Sequence, residues 1–201
     1  KAIVTGCPIR EELLSGSRLK GLEIAGFTPD KPVLLIIGGS LGSVAVNTAV
    51  RNILPELLKE FQVIHICGKK NVDESLKGTP GYVQYGYVSE ELKDLFATAD
   101  IVISRAGANA ICELLALRKP ALLIPLSAAA SRGDQLLNAE SFRKQGFSDV
   151  LQEEEITDEV LLARIHHLYE TREEYRTAME KSNLGNAVQT IVELLDSLCE
   201  K

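Results

Sequence analysis

Short, wholly apolar runs alternate along the chain with longer segments in which apolar and polar residues recur at helical spacing. The run at 33–37 is apolar at every position, which is typical of a parallel strand covered on both faces. The segment at 43–60 is amphipathic, and Pro55 inside it indicates that this helix kinks or restarts. Ser89 is the expected N-cap of a helix at 89–98, because its hydroxyl can accept from the first turn. The same reasoning predicts strands at 2–5, 33–37, 62–66, 83–85, 100–104, 120–124 and 148–151, and helices at 43–60, 70–77, 89–98, 108–117 and 134–145, with helix and loop at 10–26 and three helices within 157–199.

This alternation of strand and helix predicts an α/β fold. Repeated β-α units of this length form a parallel, doubly wound sheet with right-handed crossovers. No low-complexity linker interrupts the pattern, so residues 1–201 are interpreted as one Rossmann-like domain. Ligands of such sheets bind beyond the carboxyl ends of the strands. The segments expected to converge there are 38–42, 87–89, 105–109 and 125–135.

A glycine-rich turn, Gly38–Gly42, lies where the strand at 33–37 passes into a helix. Backbone N–H groups gather at such a turn and can hold a phosphate, which makes Gly39, Ser40 and Gly42 candidate binding residues. The turn is neither the dinucleotide pattern G-x-G-x-x-G nor a P-loop, so it does not indicate NAD or a nucleoside triphosphate on its own. An ordinary tight turn that requires glycine remains the alternative.

A second turn begins at Arg105, and Glu113 follows one helical turn into the next helix. Polar side chains then follow the strand at 120–124. Phosphate donors, a carboxylate that can accept from a ribose and amides that can bind hydroxyls together indicate a nucleotide-sugar site. The alternatives are a solvated helix carboxylate at Glu113, a surface arginine at Arg10 and a simple N-cap at Asp134.

Composition excludes some classes of function but does not identify one. A net charge of −6 argues against a nucleic-acid surface, and no apolar run approaches the roughly 20 residues of a membrane span. Four cysteines far apart in sequence are interpreted as buried free thiols in a reducing cytoplasm. The three histidines have no metal-ligand spacing beside a carboxylate cluster, so no metal site is expected. No cofactor is expected either. The chain begins with Lys1, from which we expect a processed product or an excised domain.

Four motifs in their order and spacing resemble the C-terminal domain of glycosyltransferase family 28, and within it that of the bacterial GlcNAc transferases that convert lipid I to lipid II. They are Thr5–Arg10, Gly38–Gly42, Arg105–Ala108 with Glu113, and Gln135 with Asn138-Ala139. The resemblance implies the GT-B architecture, in which two Rossmann-like domains enclose the active site. This chain would be the UDP-sugar (donor)-binding domain, and the N-terminal acceptor domain would be absent from it.

The resemblance also implies roles for individual residues. Arg10 and Ser40 would contact the diphosphate, and the backbone of Val88 would bind the uracil edge. Ala108, Asn109 and Ala110 would present a helix N-terminus to the α-phosphate, and Glu113 would accept both ribose hydroxyls. The GlcNAc hydroxyls would be bound by Asp134, Gln135 and Asn138. Asp134 stands where the family has glutamine, which puts the sugar selectivity in doubt because a carboxylate cannot donate. No catalytic residue is expected in this chain, since the general base would belong to the missing domain.

The partners implied are UDP-GlcNAc and, through the missing domain, a lipid-linked acceptor at the cytoplasmic face of the membrane, where the full-length protein would make peripheral contact. Two other interpretations stay open. The chain could be the donor-binding subunit of a two-subunit GlcNAc transferase. It could also be half of a UDP-sugar epimerase, or a non-catalytic UDP-sugar-binding module.

Overall fold

The computed structural model of the protein describes residues 6, 9–39, 41–127, 133–182 and 187–199. These residues contain a six-stranded sheet in the order β3-β2-β1-β4-β5-β6, and every neighbouring pair is parallel. This order is that of the Rossmann fold, and the direction of winding changes between β1 and β4. The predicted α/β doubly wound sheet is therefore confirmed. The strands are β1 (Val33–Ile37), β2 (Gln62–Ile66), β3 (Tyr82–Tyr85), β4 (Ile101–Ser104), β5 (Ala121–Leu123) and β6 (Asp149–Val150). The strand expected at 2–5 lies outside the described residues.

Helices cover both faces of the sheet. They are α1 (Arg18–Ala25), α2 (Val44–Asn52), α3 (Leu54–Glu60), α4 (Leu92–Thr98), α5 (Ala108–Ala116), α6 (Asp134–Lys144), α7 (Asp158–Glu170), α8 (Arg172–Glu180) and α9 (Ala187–Cys199). Side chains of β1 alternate between the two apolar layers: Leu34 and Ile36 pack with α2, α3 and α7, whereas Val33 and Leu35 pack with α1, α4 and α5. All four are fully buried, which explains why this strand is apolar at every position.

Two predicted helices differ from the structure at informative places. The helix at 43–60 is divided at Ile53 into α2 and α3, with Pro55 in the first turn of α3, so the predicted restart is confirmed. The helix predicted from Ser89 begins only at Leu92, and Ser89 is not its N-cap. Instead, the backbone oxygen of Ser89 accepts from the nitrogen of Leu92 in a turn that connects the loop after β3 to α4.

The segment at 70–77 holds a short 3-10 helix at Glu74–Leu76 rather than an α-helix. Asp73 precedes it, and its carboxylate accepts from the backbone nitrogen of Ser75. Such a local bond favours a tight turn over helix propagation.

The cysteine prediction is tested at Cys67 and Cys112, since Cys7 and the side chain of Cys199 lie outside the described part of the chain. Cys67, directly after β2, is a buried free thiol, and burial raises its pKa. Cys112 on α5 is disulfide-bonded, so the expectation of a free thiol was wrong there. An apolar helical pattern reports burial but not whether another sulfur lies within bonding distance.

Candidate functional site

A cavity of about 560 Å³ lies at the carboxyl edge of the sheet, beside the point where the winding reverses between β1 and β4. The ends of β1, β2 and β3, the start of α4 and the first turns of α5 form its walls. Parallel strands place their carboxyl ends on one edge, which explains why segments far apart in sequence meet there. The predicted site residues that line this cavity are Arg10, Gly39, Val88, Ala108, Asn109, Ala110 and Glu113.

An ion pair joins two of these residues within the cavity. Nη2 of Arg10 donates to Oε1 of Glu113 at 3.1 Å, and Nε donates to the same oxygen at 3.3 Å. The side chain of Glu113 is 17% exposed, whereas that of Arg10 is 49% exposed. The arginine therefore covers one oxygen of the carboxylate from the solvent side.

The N-terminus of α5 faces the same cavity. Gly107 precedes the helix with an extended backbone, and no side chain of the described residues caps the first turn. Backbone N–H groups at 108–110 are thus available to a ligand, and the helix dipole adds about half a positive charge there. An anion is the natural partner of such an arrangement.

The other end of the cavity is apolar. Ile66 and Leu92 line it together with Val88, which is half-buried. Tyr87 also lines it and is 58% exposed, with the ammonium of Lys69 lying 5.1 Å from the ring centroid. A flat heterocycle is suited to this wall. Sequence reasoning placed 87–89 at this edge but assigned no role to Tyr87, because an exposed aromatic side chain gives no periodic signal.

A second cavity of about 510 Å³ adjoins the first and shares Gly39 and Ala110 with it. It contains the predicted residues Gly42 and Gln135. Gly42 has φ +77°, and a Cβ there would stand 1.9 Å from the backbone oxygen of Cys67. Only glycine fits at this position, as the predicted turn requires.

Of the described residues expected to bind the sugar, Gln135 lines a cavity, whereas Asp134 and Asn138 do not. Oε1 of Gln135 accepts from the backbone nitrogen of Leu126 at 3.1 Å, so its amide group is partly engaged within the protein. Nδ2 of Asn138 donates to the backbone oxygen of Ala106 at 3.0 Å, which connects α6 to the segment before α5. Asn138 is not among the described residues that line either cavity. Asp134 is exposed in the first turn of α6 and also lies outside both cavities. Ser40 lies outside the described residues.

Sequence reasoning missed the polar floor of the second cavity. Arg105, Ser43 and Glu153 all line it and are joined through the guanidinium of Arg105. The one available signal was an arginine directly after a buried strand, since a charge at such a position requires partners.

Within the described ranges, no group of three or more histidine, cysteine or acidic side chains is arranged to bind a metal. Among the same residues, no helix combines the length and the apolar character needed to traverse a bilayer.

Comparison with known proteins places this geometry in a family. The family model of the glycosyltransferase family 28 C-terminal domain matches residues 33–195. A relative from Lachnospira eligens is 60% identical over 195 residues, which cover 97% of this chain and 55% of the relative. A relative from Lachnoclostridium phytofermentans is also 60% identical, over 98% of this chain and 56% of its own length. Both are named UDP-N-acetylglucosamine–N-acetylmuramyl-(pentapeptide) pyrophosphoryl-undecaprenol N-acetylglucosamine transferase. The chain thus spans about half the length of these curated relatives.

Solved structures agree. The crystal structure of Acinetobacter baumannii MurG is similar with a TM-score of 0.72 and 25% identity, over 94% of this chain and 55% of that one. The calicheamicin glycosyltransferase CalG4 is similar with a TM-score of 0.64 over 85% of this chain and 43% of its own. At 17% identity, the second likeness shows the fold alone.

Proposed function

Since the chain belongs to glycosyltransferase family 28 and matches the C-terminal domain of that family, we propose that it is the UDP-sugar-binding domain of an inverting GlcNAc transferase. The enzyme would transfer GlcNAc from UDP-GlcNAc to lipid I and form lipid II in peptidoglycan synthesis. The observation that carries the proposal is the meeting of the uncapped α5 N-terminus with Arg10 and Glu113 in one cavity at the carboxyl edge.

The cavity supports a definite orientation of the nucleotide. The uracil ring would lie on the apolar wall, with the backbone of Val88 at its edge. The ribose hydroxyls would donate to Glu113. Arg10 contacts only Oε1 of this carboxylate, so Oε2 can accept from the ribose. The α-phosphate would accept from the first turn of α5, and the sugar would extend toward Gln135 in the second cavity.

Catalysis would consist chiefly of stabilising the departing UDP. Charge develops on the diphosphate as the bond to the anomeric carbon breaks, and preorganised donors aimed at that charge lower the barrier. Arg10, Ser40 and the α5 N-terminus are the groups proposed for this task, and they need no divalent metal. Arg10 suits it because its guanidinium stays charged and offers several donors.

The remaining steps are assigned to the longer protein. The relatives are about twice the length of this chain, and we propose that their additional part supplies the acceptor site and the general base that deprotonates the acceptor hydroxyl. The lipid-linked acceptor would bring the full-length protein to the cytoplasmic face of the membrane, where it would bind peripherally.

Calorimetric titration with UDP in the presence of EDTA tests the donor site. We expect saturable binding of one UDP per chain, and weaker binding of ADP because adenine lacks the hydrogen-bonding edge of uracil that the backbone of Val88 is proposed to bind. Binding that disappears with the chelator would contradict the metal-free site. The absence of saturable UDP binding up to millimolar concentration would contradict the proposed function.

A further inference from the structure

Arg105, directly after β4, is a buried arginine with a side chain only 10% exposed. Its Nη1 donates to the backbone oxygens of Ile124 at 3.0 Å and Pro125 at 3.1 Å. Its Nη2 donates to the hydroxyl oxygen of Ser43 at 2.6 Å and to the carboxylate of Glu153. One guanidinium thus makes four charge-assisted bonds in a nearly dry environment, where each is strong and the loss of a partner is costly.

The four acceptors share a location. Ser43 lies beyond β1, Ile124 and Pro125 follow β5, and Glu153 follows β6. Together with Arg105, which follows β4, they belong to the carboxyl ends of β1, β4, β5 and β6, which are consecutive in the sheet. A rigid, planar fork of donors can hold several oxygens at once, whereas the single ammonium of lysine cannot.

Ser43 connects Arg105 to the glycine-rich segment that follows β1. It is the N-cap of α2, and its hydroxyl oxygen also accepts from the backbone nitrogen of Val46. Gly38 packs directly against it, because a Cβ on Gly38 would stand 2.6 Å from the nitrogen of Ser43. A displacement of Ser43 is therefore expected to move both Gly38 and the N-terminus of α2.

We propose that Arg105 is a positioning residue of the donor site. Through Ser43 it positions Gly38 and Gly42, which line the second cavity together with Ala110 of α5. Through Pro125 it holds the loop in which the nitrogen of Leu126 donates to Gln135. Ser43, Arg105, Gln135 and Glu153 line the second cavity, so the bonds fix its walls as well as the core beneath it. The inference rests on the proposed function in that the ligand of these walls is the diphosphate and sugar of a UDP-sugar.

Hydrogen exchange of the free protein tests the positioning without any ligand. In Arg105→Lys, we expect backbone amides at 41–47 to exchange about tenfold faster, because Nζ cannot hold Ser43 and the β5 carbonyls together. Amides at 62–66 in β2 should exchange as in the wild type. Arg164→Lys is the matched control, since it alters an ion pair with Asp149 that lies away from the cavities. Unchanged exchange at 41–47 would overturn the inference.

UDP titration tests the consequence for binding. We expect the Kd of Arg105→Lys to rise about tenfold, a loss typical of one charged hydrogen bond, whereas Arg164→Lys keeps the wild-type Kd. Ser43→Ala should raise the Kd by the same factor, whereas Ser43→Thr, which keeps the hydroxyl, should have the wild-type Kd. These two variants test the inference even if Arg105→Lys fails to fold. If the wild type binds no UDP, the proposed function fails, and the exchange experiment still decides the positioning. Wild-type affinity in both Arg105→Lys and Ser43→Ala would overturn the inference.

Discussion

Among single residues, Glu113 has the most direct connection between environment and function. Its carboxylate is mostly buried, yet Arg10 contacts only one of its two oxygens. A ribose can therefore bind without displacing the arginine, which stays beside the proposed diphosphate. A merely solvated carboxylate would gain little from such a location, and the two interpretations differ in what substitution does.

Glu113→Ala should weaken UDP binding by about 1.5–3 kcal/mol, which corresponds to roughly a 10- to 150-fold higher Kd, because a charge-assisted contact to the ribose is lost. The free energy of unfolding should fall by less than about 1 kcal/mol, since the pair with Arg10 is half-exposed. Calorimetry and chemical denaturation of the same samples measure both quantities. The control is Glu180→Ala, which breaks an exposed pair with Arg118. UDP affinity equal to that of the control would return Glu113 to the role of a surface carboxylate.

His65 connects protonation to stability near the same edge. It is fully buried on β2, and burial, with a further contribution from the charge of Arg51, lowers its pKa from 6.5 to about 3. Nδ2 of Asn47 donates to the backbone oxygen of Cys67, so Oδ1 of Asn47 accepts from Nε2 of His65 at 2.9 Å. Nδ1 then accepts from the hydroxyl of Tyr82 at 2.9 Å. The folded protein holds His65 neutral in one tautomer.

This neutral state predicts a pH dependence with a definite sign. The unfolded chain takes up a proton on His65 near pH 6.5 and the folded protein only near pH 3, so stability falls as pH falls through that window. Between pH 7 and pH 5, His65 should account for about 2 kcal/mol of lost stability. Urea denaturation at both pH values should show a shallower dependence in His65→Asn than in the wild type. His167→Asn, on the exposed side of α7, is the control. A wild-type slope in His65→Asn would contradict the assignment.

Among the elements, the loops after β1 and β2 are locked into each other. A Cβ on Gly42 would stand 1.9 Å from the backbone oxygen of Cys67, and one on Gly68 would stand 2.3 Å from that of Leu41. Both glycines also have positive φ. Gly42 and Gly68 are thus held in place by close backbone packing, and each adopts a backbone conformation that favours glycine.

Gly42→Ala should therefore lower both stability and UDP affinity. Positive φ alone costs an alanine about 1–2 kcal/mol, and the clash with Cys67 adds to this, so we expect a loss above about 2 kcal/mol. Gly78→Ala is a matched control: its φ is +80°, but no atom lies within 4 Å of the added Cβ. Denaturation and UDP titration of both variants isolate the steric contribution. Equal effects of the two substitutions would show that the turn can relax.

The elements also show what patterns can predict. Strands such as β1 were predicted at their observed bounds, because burial on both faces leaves no room for polar residues. The start of α4 was missed because Ser89 has capping chemistry, while the chain instead makes a turn before Leu92. Capping propensity is local, whereas the place where a helix begins depends on how the preceding loop leaves the sheet.

For the whole molecule, the topology assembles the candidate site. Positions that follow parallel strands meet at one edge, so the contributions of Val88, Ala108 and Gly39 to a shared cavity could be predicted from the sequence. The bonds of Arg105 could not, since its partners lie 19 to 62 residues away. The engagement of Asn138 with Ala106 was missed for the same reason. Sequence patterns identify which strand ends converge, but not which side chains are engaged in the hydrogen bonds that hold these ends together.

The distribution of charged groups at this edge leads to the last prediction, that the 201-residue chain alone transfers no GlcNAc. Two carboxylates of the described residues line the cavities, and both have other roles in the proposal: Glu113 pairs with Arg10 and would bind the ribose, and Glu153 pairs with the buried Arg105. The general base is therefore assigned to the longer protein. Helix α9 also presents Val192 and Leu195 to solvent at 44% and 57% exposure, an apolar face suited to a further packing surface.

The assay is transfer from UDP-GlcNAc to a lipid I analogue, first by the chain alone and then with the amino-terminal part of a 60% identical relative joined ahead of it. We expect no turnover by the chain alone at UDP-GlcNAc concentrations that saturate binding, and turnover once the two parts are joined. Glu113→Ala in the joined protein should lower kcat/KM by the factor by which it weakens UDP binding, because the ribose contact is made in the ground state and the transition state alike. Turnover by the chain alone would show that a base lies within these 201 residues. Donor binding, which the cavity supports, would then still stand, whereas the assignment of the general base to the additional part of the longer protein would be wrong.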